Sequence, residues 1–170
     1  MKSTFTLPAL AVAGILSCGL ANAADGTINF TGTILDTACV VEPAVVAVNM
    51  GSLTVAAFSG VGATAGSTPF SITLTSCPAG LTTAQVFFSG AADPADSTVL
   101  GLTAGGATGA GIALFESDGS TRVNLGAASV AQPVTATGGS LDFVAKYMQT
   151  ATPIVAGAAN ATAEFVLQYP

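Results

Sequence analysis

An all-β sandwich is the fold class this sequence predicts, on three observations. Apolar and polar residues alternate over several short stretches, the period of a strand with one buried face. Gly, Pro, Asp and Ser clusters recur between those stretches and supply the turns. Beyond the N-terminal apolar run, no stretch carries the 3.6-residue apolar period of an amphipathic helix.

At the start, Met1-Lys2 gives a short positive end, Ala9 to Leu16 an apolar run, and Ala21-Asn22-Ala23 a small-x-small cleavage site. Residues 1–23 therefore read as a secretory signal peptide cut after Ala23. Ile15-Leu16-Ser17-Cys18 approximates a bacterial lipoprotein box, but bulky Leu16 stands where a small residue belongs; the competing reading is a thiol lost with the signal. The run is shorter than the roughly 18 apolar residues of a spanning helix, and nothing later is longer. The expected product is exported and does not insert directly into a membrane.

The next stretch, Thr27 to Asp36, places Ile28, Phe30, Gly32 and Ile34 on one face and Thr27, Asn29, Thr31 and Thr33 on the other. That is a half-buried strand directly behind the export signal. Either it pairs within its own domain or it adds itself to the open sheet edge of another molecule.

Further on, Ala38-Cys39-Val40-Val41 leads through Pro43 to Val45–Met50, a second strand broken by a proline that suits an edge or a switch between sheets. Residues 51–67 read as a loop with at most a short strand around Leu53 to Phe58. Phe70, Ile72 and Leu74 alternate with Ser71, Thr73 and Thr75 in a strand ending at Cys77-Pro78. Gln85 to Ser89 is a short apolar strand, Asp93-Pro94 a turn, and Val99 to Leu102 a further strand before the glycine-rich residues 105–111. Ile112 to Phe115 and Thr121 to Leu125 flank Ser117-Asp118-Gly119, a hairpin signal because Asp-Gly supplies the positive φ angles of a tight turn. Leu141, Phe143, Ala145 and Tyr147 alternate after Gly138-Gly139. Ala163, Phe165, Leu167 and Tyr169 alternate to the end of the sequence.

Length and composition narrow the function. One domain accommodates most of the 170 residues, and a hydrophobic share of 51% is too apolar for a disordered chain. Charged residues are only 7%, so Thr, Ser, Asn, Gly and Ala must cover the surface, which suits a β-protein packed against neighbours. Once the signal is gone, Arg122 and Lys146 are the only Lys or Arg side chains; nucleic acid and anionic lipid are excluded as partners for want of a basic patch. Cys18 leaves with the signal, and Cys39 and Cys77 remain as the pair expected to form a disulfide in an exported protein.

Catalysis finds little support. With His 0, no Ser-His-Asp or Cys-His arrangement can be built, and no metal site or cofactor is expected. Asp36-Thr37-Ala38 loosely matches the Asp-Thr-Gly of aspartic proteases, but that chemistry needs two carboxylates sharing a proton and no second copy exists. The glycine-rich stretches lack the strand, helix and acidic residue of a dinucleotide fold.

In order and spacing, these features resemble the pilins of the bacterial chaperone-usher pathway, specifically the major subunit of type 1-like fimbriae. The features that match are the exported extension with Phe30-Thr31-Gly32, then Ala38-Cys39 with its partner Cys77, the Lys146-Tyr147 strand, Gly157, and the penultimate aromatic Tyr169. The resemblance implies an incomplete immunoglobulin-like sandwich that lacks its last strand, in residues 37–170, preceded by a donor-strand extension in residues 24–36. It makes Ile28, Phe30, Gly32 and Ile34 the donor strand, and Phe165, Leu167, Tyr169 and Gly157 the acceptor-groove edge and chaperone contact. It implies as partners other copies of the chain and other pilins, a periplasmic chaperone and an outer-membrane usher, with the product in a surface fimbria that supports adhesion. Two other readings stay open: a minor or adaptor pilin, and a secreted monomer whose first strand fills its own groove. For Gly157 a plain turn residue, and for Tyr169 a core anchor, stand beside the family roles.

Overall fold

A strand with one apolar face has to lay that face on another layer, and this chain does so with two sheets. The computed structural model describes residues 28–32, 34 and 38–170. Signal cleavage at Ala23, residues Thr27, Thr33, Leu35 and Asp36 of the expected first strand, and Thr37 lie outside the described residues.

The chain divides into two units, Met1–Ile34 and Leu35–Pro170. In the first, residues 28–32 and 34 carry no strand ladder. Ile28 is 79%, Phe30 91% and Ile34 100% exposed.

The second unit is a β-sandwich. Its strands are β1 (Val40–Val41), β2 (Thr64–Thr75), β3 (Thr83–Gly90), β4 (Leu100–Gly101), β5 (Ala110–Glu116), β6 (Arg122–Val123), β7 (Gln132–Pro133), β8 (Gly138–Gln149) and β9 (Ala163–Gln168). One sheet runs β1-β2-β8-β5-β4 with β6 on β5, and the other runs β7-β3-β9, all pairings antiparallel. The core lies between them. Ile72 and Leu74 of β2, Val86 and Phe88 of β3, and Leu141 and Phe143 of β8 all point inward and are nearly inaccessible. Phe88 meets Phe143 edge-on at 5.1 Å between ring centroids and Phe70 at 6.3 Å, so aromatic contacts join the two sheets.

The long alternating stretches form strands as expected, and the exceptions have physical reasons. Val46, Val48 and Met50 alternate in burial as a strand would, yet Val45–Met50 belongs to no ladder. Only Val40–Val41, before Pro43, pairs with β2. The strand expected around Leu53 to Phe58 is replaced by a 3-10 turn at Val55–Ala57, and β2 begins at Thr64, inside the expected loop. Val99 is fully buried but unpaired, leaving β4 two residues long. The short strand β7 was not anticipated.

Cys39 and Cys77 form the expected disulfide, with Cα atoms 4.1 Å apart. The bridge ties the residue before β1 to the chain just beyond β2, two strands paired through Val40↔Thr75.

Both cations of this unit are engaged within it. Arg122 lies 3.8 Å from Asp96 and donates to Thr98 Oγ1. Lys146 donates to the Gly119 carbonyl at 2.7 Å and sits 4.8 Å above the Phe115 ring. Three carboxylates are held below their ordinary range by hydrogen bonds to the ionised form: Asp118 by Thr121 and Ser120, Asp142 by Ser71 and Ser140, and Asp96 by Thr98. A carboxylate with a depressed folded-state pKa contributes stability above its unfolded value and loses it as pH falls through the folded one. Urea midpoints should therefore be level near neutrality and fall below about pH 4. In Asp118→Asn the fall should be shallower, because that turn no longer titrates. A midpoint unchanged from pH 7 to 2 would contradict the assignment.

Candidate functional site: an unfilled groove

Two stretches of main chain face each other without being joined. One is residues 44–53, where the only main-chain hydrogen bond donated to another described residue is Gly51 N–H to Asn49 Oδ1 at 3.0 Å. The other is β9, which pairs with β3 on one side and with no described strand on the other. Between these lips runs a groove whose floor is the sandwich core.

Two cavities follow one another along it. The first, about 420 Å³, has Val46, Val48 and Met50 on one lip and Ala161, Ala163 and Phe165 on the other, over Phe70, Ile72, Phe88, Leu100, Ile112, Leu114 and Ala145. The second, about 320 Å³, continues between Gly51–Val55 and Ile154–Asn160, over Phe58, Leu102, Ala110 and Tyr147. No charged side chain lines either cavity. Such a slot, flanked by main chain without ladder partners, has the shape and chemistry to take one more extended apolar strand.

At the junction of the two cavities the Tyr147 hydroxyl donates to the Ala159 carbonyl at 3.1 Å. Burial pushes the Tyr147 phenol above its ordinary pKa. Neither this contact nor the part of Val46, Val48 and Met50 as a lip was read from the sequence. The alternation of those three residues was the available signal; the tyrosine contact had none.

The residues expected at the groove edge take different places. Phe165 lines the first cavity and Gly157 the second. Leu167 and Tyr169 continue the same face of β9 and pack against the core. Tyr169 also accepts a hydrogen bond from the Cys39 N–H at 3.1 Å, anchoring the end of β9 beside the disulfide.

Gly157 is needed for close approach. Its φ is not positive, but a Cβ there would stand 2.7 Å from Ala107 N, and one on Gly106 would fall on the Ala158 carbonyl oxygen. The two segments are stitched by Ala107 N–H to Ala158 O at 2.8 Å and by a reciprocal Thr108–Val155 pair. Gly157→Val should force them apart and cost about 1–3 kcal/mol. A wild-type urea midpoint in that variant would return Gly157 to an ordinary loop residue.

Comparison with known proteins gives one consistent family. Residues 28–170 match the family model described as fimbrial protein. The fimbrial subunit type 1 of Salmonella typhimurium is 36% identical over 152 residues, 85% of this chain and 82% of that one. A Burkholderia pseudomallei antigen and type I fimbria protein of known structure is 40% identical, with a TM-score of 0.62 over 85% of this chain and 97% of that one. The P pilus rod subunit shares the fold, with a TM-score of 0.65 at 21% identity over 79% of this chain and 100% of that one. The chain belongs to the fimbrial protein family: it is a pilin of the chaperone-usher kind, a structural subunit of a fimbria at the cell surface.

Proposed function

We propose that this pilin polymerises head to tail, Ile28, Phe30, Gly32 and Ile34 of one copy entering the groove of the next as its missing strand. The observation that carries the reading is the pair of complementary defects in one chain: an apolar groove between unpaired lips, and an apolar alternating segment whose side chains are 79–100% exposed. The contact is heterologous, and where its rotation does not close it builds an open filament.

The same groove suits a periplasmic chaperone that lends a strand until assembly, and an outer-membrane usher where the exchange takes place. Phe165, with Leu167 and Tyr169 further along β9, is the edge such a strand would meet. The unit acts by binding and carries no reaction. Residues 1–23 serve as the export signal, 24–36 as the extension and 37–170 as the pilin domain.

The test is detergent gel electrophoresis of protein recovered from cell surfaces, with and without heating. A multimer ladder before heating that collapses to one band afterwards is expected. One monomer band in both lanes would refute polymerisation.

A further inference from the structure

Peroxides attack sulfur before other side-chain atoms, and this chain offers them little of it. The sequence has Trp 0 and His 0, with 3 Cys and 3 Met, of which Met1 and Cys18 fall in the export signal. Among the described residues, Cys39 and Cys77 are bonded to each other, and Met148 is buried in a second cluster with Val99, Phe115 and Val144. That leaves Met50. It is half-buried on the lip of the groove, where it lines the 420 Å³ cavity, and the next residue, Gly51, already lines the second cavity.

We infer that Met50 is a modification site for peroxides and that its sulfoxide closes the groove to an incoming strand; the closure rests on the donor-strand reading above. In the reaction a lone pair of Met50 Sδ attacks one peroxide oxygen, an S–O bond forms and the O–O bond breaks. The proton on the transferred oxygen passes to the departing hydroxide, which leaves as water. Sulfur loses two electrons and the peroxide gains them, so no other reactant is needed.

The thioether is apolar and flexible, suited to a slot with no charged lining. The sulfoxide is polar, and its oxygen needs a hydrogen-bond donor. Water meets that need while the groove stands open. A strand entering the cavity lined by Val48, Ala161 and Phe165 expels the water and brings apolar side chains in its place. The reverse protection follows from the same geometry. A seated strand covers Met50, so peroxide acts on subunits before they join and spares those already in the fibre.

The test treats purified unassembled full-length chain, and multimers recovered from cell surfaces, in parallel with hydrogen peroxide. Mass spectrometry reads the gain of one oxygen at Met50, and the unassembled chain is assayed before and after for capture of a synthetic peptide of residues 27–36. Met50 should oxidise at least about tenfold faster in the unassembled chain than in multimers, and oxidation should weaken peptide capture about tenfold or more. Methionine sulfoxide reductase should restore that capture. In Met50→Leu, whatever its starting capture, peroxide should change nothing. Equal oxidation in chain and multimers, or wild-type capture untouched by full oxidation of Met50, would overturn the proposal and leave the donor strand standing. Wild-type protein that forms no ladder and captures no peptide before peroxide would overturn the donor-strand reading and the closure with it, while Met50 as a modification site would still stand or fall on the mass gain.

Discussion

Changing Phe30 and Gly32 together to Asp is expected to abolish the multimer ladder while leaving the sandwich folded. In the proposed joint, Ile28, Phe30 and Ile34 would each contribute roughly 1.5–3 kcal/mol on full burial, or about 5–9 kcal/mol together. Association costs about 4–15 kcal/mol, so the side chains alone leave little margin and the new ladder along β9 supplies the rest. Phe30→Asp removes one of the three anchors and moves a carboxylate into a slot with no charged lining. The cations of the described residues cannot offset it, because Arg122 and Lys146 are held at Asp96 and at Gly119 and Phe115, outside both cavities. A buried unpaired carboxylate costs several kcal/mol, enough to erase the margin. Both substitutions lie in exposed residues of the first unit, so protection of Cys39 and Cys77 from thiol labelling should be unchanged. An undiminished ladder would remove residues 28–34 from the joint.

Replacing both Cys39 and Cys77 by Ser should lower the urea midpoint of the purified protein by about 2 M. The bridge closes a loop with a sequence separation of 38, for which the chain-entropy model gives about 4 kcal/mol, a large part of the roughly 5–15 kcal/mol that stabilises a domain. Neighbouring contacts are too slight to compensate. β1 is only Val40–Val41, and the hydrogen bond from Cys39 N–H to Tyr169 depends on where Cys39 is held. The wild type under reducing conditions should match the variant. A variant within about 0.5 M of the oxidised wild type would show that packing around β2, not the bridge, sets the stability.

What could be read from the sequence was whatever lies in one residue's chemistry or one strand's period. The disulfide was legible because export leaves two cysteines. β2, β3, β8 and β9 were legible because each lays one apolar face on the core. Val45–Met50 marks the limit of that signal. Period two reports which face is buried and says nothing of whether a neighbour exists, and among the described residues none does. β7 comprises only Gln132 and Pro133, too short for any period and ending in a residue that cannot donate to a ladder. The contact of Gly106 with Gly157 joins residues 51 positions apart, and the reach of Tyr147 to Ala159 joins strand β8 to the loop before β9; neither leaves a trace in local composition.

The place of the disulfide also decides how the subunit bears a mechanical load. In a fibre under tension, a pull on the N-terminal extension reaches the sandwich at Cys39. Without a covalent link, the force would peel the two-residue β1 and then strip away the unpaired lip behind it. With Cys39 bonded to Cys77, the pull is delivered to the end of β2, a 12-residue strand zipped along β8, itself 12 residues long. Force entering from the N-terminal side then loads many ladder hydrogen bonds in shear at once, and it does not have to pass through residues 44–53 directly behind β1.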